Sequence, residues 1–227
     1  MYAIAMDGPS SAGKSSLAKL VAEKLNILHL NTGALYRAIG LYAYQNKLAS
    51  KLDDKGMPII SKKEINYLTK NTDVSVKFID GKQHTILNGE DVTGLLYTPI
   101  ISDYSSRTSA IPEIREHILN LQRDIAKNNN VVMEGRDITS HVLPNAKYKF
   151  FITASPEVRA GRRHKEMLEK GESCTYEEIL EDLKQRDIRD TTRDISPLVI
   201  VPEAVVIDTS NNTLDEIVEK LLSYIKE

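Results

Sequence analysis

The sequence has little cysteine, little net charge and no long apolar run. Cys174 is the only cysteine among 227 residues, which excludes an internal disulfide and a metal site built from several cysteines. The formal net charge is -2, so no global basic field points to nucleic acid, and aromatic residues are not interleaved with basic ones as in nucleic-acid-binding surfaces. No apolar stretch approaches the length of a membrane span.

Repeats, low-complexity tracts and a signal segment are also missing. The length suits one α/β domain with an insertion, or two small domains. The first residues enter an apolar run directly, with no basic and then apolar leader before it. We therefore expect a monomeric protein of the cytoplasm, with neither nucleic acid nor a membrane as a partner.

Residues 8–15 read GPSSAGKS and fit the pattern G-x-x-x-x-G-K-[ST]. The apolar residues 2–6 before this loop predict a buried strand, and helical spacing follows it at Leu17, Leu20, Val21 and Leu25. In this context the glycines let successive backbone N–H groups converge on one anion, and the helix adds its positive end. The loop predicts a cradle for a nucleoside triphosphate, in which Lys14 reaches the phosphates and Ser15 binds Mg²⁺.

Strands and helices alternate along the chain. Further short apolar runs at residues 27–30, 131–134, 148–152 and 204–207 predict core strands. Capping boxes that begin at Ser61, Thr175 and Thr213 predict the starts of helices, and Pro112 and Pro156 fit the first turns of two more. This alternation predicts an α/β fold with a doubly wound, five-stranded parallel sheet.

The periodicity changes within residues 61–99. Two turn signals for hairpins, Asp80-Gly81 and Asn88-Gly89, follow an alternating stretch. In that stretch, Val74, Val76 and Phe78 alternate with Ser75, Lys77 and Ile79. A small antiparallel β meander is therefore predicted as an insert. We expect a core of residues 1–60 and 100–227, in which residues 46–60 are a connection, and an inserted lobe of residues 61–99.

Arginines are concentrated in two groups: Arg37, Arg115 and Arg136, and later Arg159, Arg162, Arg163, Arg186, Arg189 and Arg193. Pairing with nearby carboxylates accounts for some of them, and a solvated helix face or a surface turn is the plain alternative for Arg37 and for Gly135-Arg136-Asp137. Arginine also grips phosphate with two hydrogen bonds, and ligands of parallel sheets meet the carboxyl ends of strands. The late group, in residues 155–195, could form a helical lid that closes over a phosphoryl transfer and excludes water.

Several segments occur together in one order: DGPSSAGK at residues 7–14, TGALYR at 32–37, NGEDVT at 88–93, GRD at 135–137, and RDIRD at 186–190 followed by Arg193 and PLV at 197–199. In these segments the sequence resembles the bacterial cytidylate kinases, within the nucleoside-monophosphate kinase group, over essentially the whole chain. The resemblance implies phosphoryl transfer from ATP to CMP or dCMP with Mg²⁺, and it implies that the inserted meander binds the nucleoside monophosphate.

The resemblance also implies roles for individual residues. It assigns ATP binding to Gly8, Pro9, Ser10, Ser11, Ala12, Gly13, Lys14, Ser15, Ser16 and Arg159. CMP contacts are assigned to Thr32, Arg37, Ser106, Arg115, Arg136, Asp137, Arg186, Asp190 and Arg193. Catalytic roles fall to Lys14, Arg136, Arg163 and Arg193, with Ser15 as a direct Mg²⁺ ligand and Glu134 as a ligand through water.

Within the CMP set, the implied tasks differ. Arg37, Arg136 and Arg193 grip the acceptor phosphate, Arg186 and Asp190 lie near the sugar, and Ser106, Arg115 and Asp137 read the cytosine. A carboxylate suits this reading because it accepts a hydrogen bond from the cytosine amino group. Uracil lacks that donor, so Asp137 is expected to discriminate against it.

The sequence departs from the family pattern at three positions. Thr32 stands where serine is common, Thr191 replaces an arginine that some relatives carry in the lid, and Glu134 stands where aspartate is more frequent. Two alternatives remain open: another small-molecule kinase on the same scaffold, such as an adenylate or shikimate kinase, and a nucleotide switch. The switch is disfavoured because residues 46–49, NKLA, lack the acid of a guanine-reading Asn-Lys-x-Asp stretch.

Overall fold

A computed structural model of the chain describes residues 1–52, 58–169 and 171–225. The chain divides into two compact units. The first unit consists of Met1–Leu28 and Asn129–Glu227, and the second unit is His29–Asn128.

The strands are β1 (Ala3–Asp7), β2 (Leu28–Asn31), β3 (Lys51–Leu52), β4 (Pro58–Ile59), β5 (Val74–Ile79), β6 (Lys82–Leu87), β7 (Glu90–Asp91), β8 (Val131–Glu134), β9 (Tyr148–Thr153) and β10 (Val205–Asp208). The helices are α1 (Lys14–Leu25), α2 (Thr32–Gln45), α3 (Lys62–Asn71), α4 (Pro99–Thr108), α5 (Pro112–Asn128), α6 (Pro156–Glu169), α7 (Tyr176–Thr192) and α8 (Leu214–Tyr224). A 3-10 turn (Thr93–Leu95) and a short π-helical segment (Ile138–Val142) complete the regular structure of the described residues.

The predicted parallel sheet is confirmed. Its strand order is β10-β9-β1-β8-β2. In the centre, Ala5 of β1 lies opposite Met133 of β8 on one side and Lys149 of β9 on the other. β1 and β8 are apolar up to their last residues, Asp7 and Glu134, which is typical of strands in a sheet that helices cover on both faces. In the first unit Ile4, Val132 and Phe150 are buried with apolar residues of α1 and α8.

The second unit has its own core and its own antiparallel sheet, in the order β5-β6-β7. Val74 pairs with Leu87 across the first hairpin, which turns at Asp80 and Gly81 as the sequence predicts. Both of these turn residues have positive φ, at 51° and 72°. The core of this unit joins buried residues of α2, α4 and α5 to the sheet.

Helix α4 has no counterpart among the sequence predictions. Its start nevertheless carries two sequence signals, a threonine at the N-cap and a proline in the first turn. The side chain of Thr98 accepts a hydrogen bond from the Ile101 amide, and Pro99 follows it. The helix carries few apolar residues, so its periodicity is weak. It packs closely on α2 at Gly40, where a Cβ atom would lie 2.7 Å from the Ser105 nitrogen.

Part of the predicted connection at residues 46–60 is described. Here β3 and β4 pair as a short antiparallel ladder, in which Lys51 lies opposite Ile59. Residues 53–57 of that connection fall beyond the described part of the chain. Among the described residues, none of the helices combines the length and the apolarity that a bilayer span demands.

Candidate active site

The predicted phosphate loop joins β1 to α1 in the first unit. Gly8, Ser11 and Gly13 have positive φ, at 146°, 60° and 88°, which bends the backbone as an anion-binding concavity requires. A Cβ atom on Gly8 would lie 1.9 Å from the carbonyl oxygen of Ile152 in β9. Glycine is therefore required here for two separate reasons, the backbone angle and the close approach of the neighbouring strand.

Lys14, the first residue of α1, is buried and turns back onto the loop. Its Nζ donates a hydrogen bond of 2.6 Å to the carbonyl oxygen of Pro9. Burial, and secondarily the charge of Arg136, lowers the pKa of Lys14 well below its ordinary value, although Glu134 and Asp190 act in the opposite direction. A phosphate placed here would favour the charged form of this lysine.

A hydroxyl and a carboxylate meet beside the loop. The Oγ of Ser15 donates to Oε2 of Glu134, the last residue of β8, at 2.9 Å. Ser15 is exposed on the first turn of α1, and Glu134 is buried. Hard oxygen donors of this kind are the ligands that Mg²⁺ prefers, so the pair fits the predicted metal.

Asp7 fixes the segment that follows β8, a role that sequence reasoning missed. Its carboxylate accepts hydrogen bonds from the Ile138 amide at 2.9 Å, the Thr139 amide at 2.7 Å and the Thr139 hydroxyl at 2.6 Å. Burial raises the pKa of Asp7 even though these bonds favour the charged form. The aspartate therefore holds Gly135-Arg136-Asp137 at the end of the central strands.

Arg136 and α7 form a buried charge cluster. Nε of Arg136 donates to Oδ2 of Asp190 at 2.8 Å. Burial alone would raise the pKa of Asp190, but the charges of Arg136, Arg186 and Arg193 outweigh it and hold the pKa below its ordinary value. Arg193 caps the end of α7 and donates from Nε to the carbonyl oxygen of Ser196 at 2.8 Å. Three of the predicted acceptor-site residues of the first unit, Arg136, Arg186 and Arg193, thus lie around the Asp190 carboxylate.

The arginines of α6 differ from one another in their surroundings. Arg159 is buried; it donates to the Ser10 carbonyl at 3.2 Å and pairs through both terminal nitrogens with Asp187 of α7, at 3.1 and 2.5 Å. Arg163 pairs with Glu166 on its own helix at 3.1 Å. Arg162 instead bonds to Thr209, directly after β10. Asp187 and Thr209 carry no prediction, although a polar residue just after a predicted strand, as Thr209 is, is a signal for a site.

In the second unit, two predicted arginines lie against tyrosine rings. The guanidinium carbon of Arg37 is 5.3 Å from the ring centre of Tyr97, and that of Arg115 is 5.3 Å from the ring centre of Tyr36. Arg115 is buried and also donates to the Ser109 carbonyl at 3.0 Å. The remaining predicted residues of this unit are Thr32, buried at the start of α2, and Ser106, half-buried on α4.

Comparison with known protein families decides what this arrangement belongs to. The family model described as cytidylate kinase matches residues 4–227. The chain belongs to the cytidylate kinase family.

Curated cytidylate kinases resemble the chain along nearly its full length. The cytidylate kinase of Caldicellulosiruptor saccharolyticus is 43% identical over 219 residues, which cover 96% of this chain and 93% of the relative. That of Carboxydothermus hydrogenoformans is 43% identical over 222 residues, which cover 98% and 96%. Among solved structures, an uncharacterized protein from Eubacterium ventriosum has the same fold, with a TM-score of 0.50, 14% identity, and coverage of 99% of this chain and 97% of that one.

Proposed function

We propose that the chain transfers the γ-phosphoryl group of ATP to CMP or dCMP, giving ADP and CDP or dCDP, as part of pyrimidine nucleotide metabolism. The observation that carries the proposal is a phosphate loop with a buried lysine in a chain of the cytidylate kinase family. The loop identifies a nucleoside triphosphate as the phosphoryl donor, and membership of the family identifies CMP as the acceptor.

On the donor side, the loop and Arg159 hold ATP. Backbone N–H groups of the loop bind the phosphates, from Gly8 and from residues 10–16, since Pro9 has no N–H to donate. Lys14 neutralises charge that the transition state spreads over the transferred group. The lowered pKa of Lys14 reflects a site built for an anion, because burial disfavours the ammonium until a negative group arrives. Arg163, which pairs with Glu166 of its own helix at 3.1 Å, takes a further catalytic role on the transferring phosphates.

On the acceptor side, the roles follow the resemblance. Arg37, Arg136 and Arg193 bind the phosphate of CMP, and Arg186 and Asp190 lie near its sugar. Ser106, Arg115 and Asp137 read the base, and Thr32 is a further contact of CMP. The charges around Asp190 support this assignment, since three arginines act on one buried carboxylate. No strong general base is needed, because the second pKa of a phosphate monoester is about 6 and the acceptor is already ionised.

Mg²⁺ would be the cofactor that accompanies ATP. Ser15 would hold it directly and Glu134 through a water molecule, and their oxygen atoms already lie 2.9 Å apart. When bound, the ion supplies positive charge to the donor phosphates. The chain's own contribution is to keep the Glu134 carboxylate buried beside the loop.

We further propose that the protein acts as a monomer in the cytoplasm, with no nucleic acid or membrane partner. The single cysteine and the net charge of -2 support this setting. Sedimentation of the purified chain at micromolar concentration measures the first part directly.

The decisive experiment is an ADP-release assay with ATP, Mg²⁺ and each nucleoside monophosphate in turn. We expect the highest kcat/KM with CMP and dCMP and a much lower value with UMP, AMP and GMP. Shikimate serves as an additional acceptor, because the same scaffold carries that chemistry in the alternative considered above. Inactivity with CMP, or a preference for AMP or shikimate, would overturn the proposal.

A further inference from the structure

Side chains hold three carbonyl oxygens of the phosphate loop. Lys14 Nζ donates to Pro9 at 2.6 Å, Arg159 Nη1 donates to Ser10 at 3.2 Å, and the Thr209 hydroxyl donates to Ala12 at 3.1 Å. In a trans peptide, the carbonyl of one residue and the N–H of the next lie in one plane and point in opposite directions. Fixing these carbonyls therefore also fixes the N–H groups of the residues that follow them.

The Ala12–Gly13 peptide depends on a residue even more distant in sequence than Arg159 is from Ser10, at 197 positions against 149. Thr209 lies directly after β10 and is 2% exposed. Its amide donates to the Thr153 carbonyl at 2.8 Å, which ties its backbone to the end of β9. The hydroxyl is thus carried by the central sheet, not by the loop that it contacts.

Arg162 determines which way that hydroxyl points. Its Nη1 donates to Oγ1 of Thr209 at 2.8 Å, and its Nη2 donates to the Thr209 carbonyl at 2.5 Å. Arginine has donors and no acceptor, so the threonine oxygen accepts from Arg162 and its single hydrogen goes to Ala12. The chain from Arg162 through Thr209 to Ala12 has one consistent direction.

We propose that Thr209, oriented by Arg162, is a positioning residue for the phosphate loop. It holds the Ala12 carbonyl so that the N–H of Gly13 is presented to the phosphates of ATP. The proposal rests on the proposed function, in which this loop binds the donor, and it adds two residues that touch neither substrate. It also gives a role to Arg162, which lies on α6 between Arg159 and Arg163, the two arginines that the proposed function places on ATP.

Replacement of Thr209 by valine tests the hydroxyl, because valine keeps the shape and removes the hydrogen bond. The Thr209→Ser variant restores a hydroxyl, and Thr72→Val is the matched control. Thr72 is a buried threonine of the second unit whose hydroxyl donates to the Leu68 carbonyl at 2.7 Å. Titration calorimetry with inorganic tripolyphosphate, which has no base, measures binding to the phosphate loop alone. Titration with ATP and steady-state kinetics then measure the affinity for ATP and the KM for CMP.

We expect Thr209→Val to weaken binding of tripolyphosphate and of ATP by about tenfold, since a buried carbonyl loses its partner. KM for CMP should stay within about twofold, and Thr209→Ser should bind within about threefold of the original protein. Thr72→Val should leave both affinities unchanged. Arg162→Met is the second variant, for the case that Thr209→Val does not fold. Arg162 is exposed, and its removal deprives the Thr209 hydroxyl of the donor that orients it. This variant should weaken tripolyphosphate binding about threefold.

Two results would overturn the proposal. One is unchanged tripolyphosphate affinity in both Thr209→Val and Arg162→Met. The other is a loss of affinity for ATP with unchanged affinity for tripolyphosphate, which would mean that Thr209 acts on the adenine base and not on the phosphate loop. Because tripolyphosphate binding does not depend on the acceptor, an original protein that binds it yet fails with CMP contradicts the proposed function alone.

Discussion

Arg136 and Asp190 are joined by a hydrogen bond of 2.8 Å between Nε and Oδ2, which ties the segment after β8 to α7. The pKa of Asp190 lies below its ordinary value in the folded protein, because the charges of the arginines around it outweigh its burial. A carboxyl group whose pKa falls on folding stabilises the folded state above its unfolded pKa. That contribution is lost as the pH falls through the folded-state value.

Asp190→Asn should lower the free energy of unfolding by about 1 to 3 kcal/mol at neutral pH, because asparagine keeps the acceptor and loses the charge. The difference from the original protein should hold steady down to about pH 4 and then narrow as Asp190 becomes protonated. Urea denaturation at a series of pH values measures it. Asp182→Asn, at an exposed position of the same helix, is the control and should change little. A difference that does not depend on pH would contradict the charge explanation.

Lys14 should take up a proton when ATP binds. Burial lowers its pKa in the ligand-free protein, and polyphosphate should raise it again, so uptake occurs between the two values. Calorimetry at about pH 9, where the phosphates of ATP are fully ionised, should give binding enthalpies that differ between buffers of different ionisation enthalpy. Lys14→Arg, whose guanidinium stays charged, should show no such difference. Equal enthalpies in the original protein would contradict this prediction.

Asp137→Ala should lower kcat/KM for CMP much more than for UMP. The carboxylate is buried and suited to accept from the amino group that only cytosine carries. We expect a loss with CMP of about 10- to 100-fold and a small change with UMP. Steady-state kinetics with both acceptors decides the matter, and an equal loss for both would remove Asp137 from base recognition.

Gly40→Ala should destabilise the second unit. The new Cβ atom would lie 2.7 Å from the Ser105 nitrogen and 3.0 Å from its Cα atom, so α2 and α4 must separate. We expect a loss of about 1 to 3 kcal/mol, which exceeds the gain of about 1 kcal/mol from better helix propensity.

Gly161→Ala is the matched control for Gly40→Ala. It also places alanine within a helix, but nothing lies within 4 Å of the new atom. It should raise the free energy of unfolding by up to about 1 kcal/mol. Denaturant titrations of both variants test the pair, and the same sign of change in the two would contradict the packing argument.

The fold was predictable from the sequence where one local signal controls the backbone. The capping boxes at Ser61, Thr175 and Thr213 all form, and the phosphate loop lies between strand and helix as its pattern requires. Helix α4 was missed because most of its side chains are polar and its apolar spacing is faint. No local pattern reports a partner distant in the chain.

The candidate site divides in the same way. Residues 8–15 and Gly135-Arg136-Asp137 are contiguous and readable, whereas the contacts of Asp7 with Thr139 and of Thr209 with Ala12 span 132 and 197 positions. The pairing of Arg159 with Asp187 was equally hidden, since the two residues lie 28 positions apart on different helices. Such contacts depend on which strands the sheet brings together.

The contact between position 8 and β9 limits how this loop could ever change. A side chain at Gly8 would meet the main-chain oxygen of Ile152, an atom that every amino acid carries. No exchange at position 152 can therefore compensate for a substitution at position 8. A selection for suppressors of a Gly8 variant should return reversion to glycine, or shifts of the strand as a whole, and nothing at the residue it touches.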